Sequence, residues 1–115
     1  MNTLYISDLD GTLLDSRAEL KLNAAQRLNS LIECGLNFTY ATARSWTSAN
    51  QIMKVINIKL PIITHNGAFI VNPDSGKIIR AFTINNEKLN FILSAINNLN
   101  LYPMDSIKSS VLATI

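Results

Sequence analysis

The sequence predicts an α/β fold in which parallel strands alternate with amphipathic helices. Three observations carry this. Leu4–Ser7 is short, apolar and bounded by acids and Gly11, as a parallel strand buried on both faces is. Two stretches with apolar residues at helical spacing separate it from the further strand-like runs at 36–41 and 60–64,. The resulting order, β-α-β-α-β with right-handed crossovers, sets the strands side by side in one parallel sheet covered by helices.

Each element has its own signals. Asn23 with Gln26 three residues on forms a capping box for the first helix, whose apolar positions Ala24, Leu28, Leu31 and Ile32 share a face before Gly35 ends it,. "LNFTYATARS" reads as the second strand and a break at Thr42–Ser45. A helix with the stripe Ala49, Ile52, Met53 and Ile56 follows,. Pro61 sits at the start of the third strand, where a missing amide is tolerated,. After "HNG", the runs at 69–71 and 78–82 flank the turn sequence "NPDSGK" and predict a β-hairpin,. A third helix is expected over 86–98, with Leu89, Ile92, Leu93, Ile96 and Leu99 in register, and "LYPMDSI" reads as strand-like beyond it.

Composition narrows the function classes. With 115 residues and 48% hydrophobic content the chain has enough apolar side chain for a globular core,. Its net charge is +2 and its ten basic residues are scattered, which excludes the clustered basic footprint of a nucleic-acid binder. The single cysteine, Cys34, reads as a small packing residue in a reducing compartment,. No basic, apolar leader opens the chain and no apolar run is long enough to span a bilayer,. A cytoplasmic protein without membrane or nucleic-acid partners is expected.

The chemistry is concentrated in "ISDLDGTLLD". A D-x-D alone arises by chance, and acids beside glycine often only make a turn. Here the pair follows an apolar strand, at the carboxyl end where open α/β sheets place their ligands. Asp8 and Asp10 start on one side of the strand, and repel each other unless a cation lies between them or one keeps a proton. A hard cation such as Mg²⁺ takes oxygen ligands and recruits phosphate. Asp8 is then the candidate nucleophile and Asp10 the candidate general acid and base. Gly11 permits a tight loop whose amides hold phosphate oxygens, and Thr42 offers a hydroxyl at the end of the second strand,.

These residues resemble a known family. "ISDLDGTLLD" is similar to the first signature of the haloacid dehalogenase (HAD)-like hydrolase superfamily, "YATARS" to its second, and "THNGAFIVN" to the N-G-A segment of the Cof-type (IIB) sugar-phosphatase-like subfamily. The resemblance implies a Rossmann-like HAD core, a partial three-layer α/β/α sheet over 1–84, with a β-hairpin and the start of an α+β cap domain over 85–115. It implies a Mg²⁺-dependent phosphatase acting on small phosphorylated metabolites through an aspartyl-phosphate. Asp8 would be nucleophile and metal ligand; Asp10 would be acid/base and a ligand through its backbone carbonyl. Leu9, Gly11, Thr12, Thr42, Ala43, Arg44, Asn66 and Gly67 fall at its phosphate- and substrate-binding positions, with Ala43 where the subfamily commonly has glycine.

Two motifs of that superfamily, a charge-offsetting lysine and a second acidic pair, have no counterpart in the sequence. Lys54, Lys59, Lys77, Lys88 and Lys108 read as surface positions, and Asp74 and Asp105 as isolated acids. The expectation is an N-terminal fragment of a phosphatase, inactive alone, whose first strand keeps an uncovered apolar edge prone to self-association. The alternative is a catalytically inactive truncated module that binds Mg²⁺ and phosphate weakly or serves as a partner subunit. A phospho-acceptor receiver domain shares the aspartate at a strand end but has no cap-like hairpin.

Overall fold

The computed structural model describes residues 2–102, which fall into two compact units, one up to Ala81 and one from Phe82 on. In the first unit β1 (Leu4–Ser7) and β2 (Asn37–Tyr40) pair in parallel, Leu4 against Asn37 through Ser7 against Tyr40. Between them runs α1 (Leu22–Glu33), and after β2 comes α2 (Trp46–Met53). The third strand, β3 (Ile62–Thr64), runs parallel to the end of β2 but touches it through one bridge, Ala41 to Ile63. The buried Thr39 hydroxyl reinforces that junction by donating to the Pro61 carbonyl at 2.7 Å.

The predicted single parallel sheet is therefore interrupted. β3 belongs to an antiparallel meander with β4 (Phe69–Val71) and β5 (Ile78–Ala81), in the order β3-β4-β5. The reversal after β3 follows from left-handed backbone at His65, Asn66 and Gly67, with φ of 50°, 56° and 95°. Asparagine and glycine are the residues that adopt this region at least cost, and they turn the chain back within four residues. The β4–β5 hairpin lies where its turn sequence placed it.

One apolar cluster holds the unit together. Leu9, Leu14, Ala25, Ile32, Phe38, Ala49, Met53, Ile62, Phe69 and Val71 are all buried in it, so both helices and both sheets contribute. Ile56 joins it from beyond the end of α2.

Three local expectations are corrected. β1 is not buried on both faces: Leu4, Tyr5 and Ile6 are 51%, 49% and 51% exposed. Among the described residues β2 is its only strand partner, so β1 is an edge strand. The capping box also fails, because α1 starts one residue before Asn23; its N-cap is Lys21, whose side chain caps nothing. Cys34 is exposed at the end of α1 and packs no core.

In the second unit α3 (Asn86–Asn98) is capped by Asn85, whose carbonyl side-chain oxygen accepts the Lys88 N–H at 2.9 Å. None of its residues is buried; Leu89, Leu93 and Ile96 of the apolar stripe are half-buried, while Ile92 and Leu99 are exposed. The helix ends at Asn98 with Leu99 as its C-cap, and Leu101 and Tyr102 lie beyond it; the remainder of "LYPMDSI", with Asp105, and Lys108 after it lie outside the described residues.

Candidate active site

Asp8 is the first residue beyond β1. Its extended backbone caps a single wide turn over Leu9–Leu13, and its Oδ1 accepts the Leu9 N–H at 2.7 Å. The turn closes when Leu14 N–H donates to the Leu9 carbonyl at 2.9 Å. It needs a left-handed residue in the middle, and Gly11 supplies one at φ 77°, a conformation that costs glycine nothing. The Leu9 side chain is fully buried, so it anchors the turn in the core and leaves only its backbone to serve a ligand. Gly11 and Thr12 are exposed on the same turn.

The loop after β2 is equally ordered. Thr42 is buried, and its Oγ1 accepts the Arg44 N–H at 3.1 Å, which leaves the hydroxyl hydrogen to donate elsewhere. Thr42 N–H donates to the Ile63 carbonyl at 2.9 Å, Asn66 N–H to the Thr42 carbonyl at 3.0 Å, and His65 N–H to the Arg44 carbonyl at 3.0 Å. These bonds stitch the loop after β2 to the turn after β3. Together the two segments and the end of β1 enclose an open cleft of about 500 Å³.

Asp8, Thr42, Ala43, Asn66 and Gly67 line that cleft. Asp10 and Arg44 are brought together with each other instead. Arg44 Nε donates to Asp10 Oδ2 at 2.8 Å and Nη2 to Oδ1 at 2.7 Å, while Nη1 donates to Ser48 Oγ at 3.2 Å. The cation that the adjacent acids require is thus partly present within the chain. Hydrogen bonding by Arg44 holds the Asp10 carboxyl below its ordinary value, and Asp10 raises Arg44 in return. Burial lowers His65, whose Nδ1 lies 3.2 Å from the buried Thr64 hydroxyl.

Sequence reasoning did not include Ser7, Ile6, Ala41 and Ile63 in the cleft, nor Ser48 beside Arg44. Ser48 was recoverable, since it stands one helical turn from Arg44; the apolar wall was not, because it depends on how the strands align. Among the described residues no three of His, Cys, Asp and Glu converge. The Asp8 carboxylate and the Asp10 carbonyl are hard oxygen donors of the kind Mg²⁺ accepts while keeping several waters. They fit part of such a shell.

An aspartate at the end of the first strand of an α/β core, a glycine-threonine turn behind it and a buried threonine lining the same cleft are the features that carry the resemblance to the haloacid dehalogenase-like class. The profile of the haloacid dehalogenase-like hydrolases matches residues 5–112, and the chain belongs to that family. Phosphatase YwpJ of Bacillus subtilis is 32% identical over 99 residues, which is 86% of this chain and 34% of YwpJ. A haloacid dehalogenase-like hydrolase structure from B. subtilis is 31% identical with a TM-score of 0.73, over 84% of this chain and 34% of that one. The phosphatase BT1666 of Bacteroides thetaiotaomicron shares the fold at a TM-score of 0.74 and 23% identity, over 87% and 37% of the two chains. The chain spans about a quarter to a third of the length of the curated relatives it matches. Among the described residues no helix is long and apolar enough to cross a membrane.

Proposed function

We propose that this chain carries the nucleophile half of a phosphatase site for small phosphate monoesters of the sugar-phosphate type. One observation supports the reading above the others: the Asp8 carboxylate lines the same cleft as the buried Thr42 hydroxyl and Asn66. Asp8 attacks phosphorus, the bond to the leaving oxygen breaks, and an aspartyl-phosphate forms. Once phosphate draws Arg44 away, Asp10 takes up a proton, gives it to that oxygen and then takes one from the water that hydrolyses the acyl phosphate. Thr42 donates its hydroxyl hydrogen to a phosphate oxygen; the turn Leu9–Thr12 offers backbone amides; Asn66 and Gly67 face the rest of the ester. Asp8 and the Asp10 carbonyl would hold Mg²⁺, which when bound offsets the charge between carboxylate and phosphate. An incoming phosphate competes with Asp10 for Arg44.

A second reading, a non-catalytic module that binds Mg²⁺ and phosphate weakly or acts as a partner subunit, is favoured by the Arg44–Asp10 pair, which keeps the acid in its ionised form. Under either reading the exposed edge of β1 is where the chain associates with itself. The segment over 85–115 is read as the opening of a cap.

Hydrolysis of p-nitrophenyl phosphate with Mg²⁺, by the chain and by Asp8→Asn, separates the two, with circular dichroism reporting the fold of each. Turnover lost in Asp8→Asn supports the enzyme reading. Equal turnover in both overturns it, and none in a folded wild-type chain favours the non-catalytic module.

A further inference from the structure

A second cavity, of about 210 Å³, shares no lining residue with the Asp8 cleft. Its walls come from the end of β2, the second half of α2 and the chain beyond it, and the β4–β5 turn. Tyr40 contributes a phenol that is 3% exposed and whose hydroxyl bonds to nothing among the described residues. Burial alone pushes that phenol up to about 12. A buried hydroxyl without a partner is unfavourable, so a ligand that pairs with it gains from the site as it stands.

The other polar groups around the cavity are also unused. The side chains of Asn50, Lys54 and Asp74 make no hydrogen bond or ion pair among the described residues, although all three line the same space. Met53 and Ile56 supply its apolar wall. The Asp74 side is held in place: Trp46 Nε1 donates to the Pro73 carbonyl at 3.1 Å, and Asn72 Oδ1 accepts the Asp74 N–H at 2.9 Å.

We propose that this cavity binds a small zwitterion with an apolar body, of the size and chemistry of a branched-chain α-amino acid. The phenol, the Asn50 amide and the Lys54 ammonium are donors suited to a carboxylate, and the Asp74 carboxylate suits an ammonium. A purely apolar ligand would leave Tyr40 unpaired, and a multiply charged anion would face Asp74. The volume lies below the roughly 300 Å³ at which drug-sized pockets begin, which limits the occupant to a metabolite of this scale.

The test is a titration of the 115-residue chain with L-leucine, followed by backbone amide shifts. Saturable shifts are expected at residues 53–58 and 72–76. Tyr40→Phe, Lys54→Met and Asp74→Asn should each weaken binding about tenfold, as should 4-methylpentanoate or 3-methylbutylamine, which lack one of the two charges. Tyr40→Phe keeps the packed ring, and Lys54 and Asp74 are exposed, so these variants retain the fold. The absence of saturable shifts at tens of millimolar leucine overturns the proposal. So does wild-type affinity in Tyr40→Phe together with Lys54→Met.

Discussion

The guanidinium of Arg44 grips the carboxylate of Asp10 at two points, 2.8 Å and 2.7 Å apart. This planar fork binds the turn after β1 to the loop after β2, so the two halves of the candidate site are tied through their charged groups as well as through the sheet. The pair is solvent-accessible, with side-chain exposures of 26% and 51%, so its weight lies in geometry and protonation more than in stability.

That pair gives a pH dependence with a defined sign. Asp10 titrates below the ordinary carboxylate range in the folded chain because Arg44 donates hydrogen bonds to it. Its contribution to stability is therefore present above the unfolded pKa and lost as pH falls through the lower folded value. The melting-temperature difference between wild type and Arg44→Met should stay level above about pH 5 and shrink below the ordinary carboxylate range. Melting curves that remain parallel throughout the acid range would exclude the linkage.

Thr42 is expected to have two separable roles. Thr42→Val removes the acceptor of the Arg44 N–H and should lower unfolding free energy by about 1–3 kcal/mol in urea, with weaker binding of inorganic phosphate. Thr42→Ser keeps the hydroxyl and should retain phosphate binding. Equal phosphate affinity in Thr42→Val and wild type would remove Thr42 from the site.

Leu9 acts through packing. Its side chain is wholly buried, so Leu9→Ala should cost about 2–5 kcal/mol, and Leu9→Met less than about 1.5 kcal/mol. Guanidinium denaturation reads both; a loss below that of the methionine variant would contradict the anchoring role.

Gly76 has no room for a side chain. A Cβ there would lie 2.5 Å from two ring atoms of Trp46, on backbone at φ 70°. Gly76→Ala should destabilise by about 1–3 kcal/mol and shift tryptophan fluorescence as the ring is displaced. An unchanged spectrum at unchanged stability would show that the turn sits away from the indole.

The edge of β1 should drive association. A charge placed on an exposed apolar strand edge opposes pairing with another chain, so Tyr5→Lys should lower the weight-average mass seen in sedimentation velocity. A wild-type chain that sediments as a compact monomer would refute association through this strand.

Much of the fold was legible because its signals are local. The β4–β5 turn, the extent of α3 and the break after β2 each depend on a few neighbouring residues whose φ preferences or capping groups decide the matter. The Asn23–Gln26 pair shows the limit of such reasoning: the same residue types inside a helix satisfy no end, and α1 starts at Leu22 with Ala25 and Ile32 buried. Half of the candidate residues meet in one cleft, while Asp10 turns to Arg44, 34 positions away in the chain.

By itself the sequence determined the α/β order and an aspartate at the end of the first strand, since strand length, helical period and turn chemistry act over a few residues. The tertiary structure alone decided three things: that the side chains of β1 are about half exposed, that β3 pairs mainly in an antiparallel meander and meets β2 through one parallel bridge, and that Arg44 takes the second acid. Each depends on which distant segments come into contact, and that is set by burial summed over the whole core rather than by any local preference.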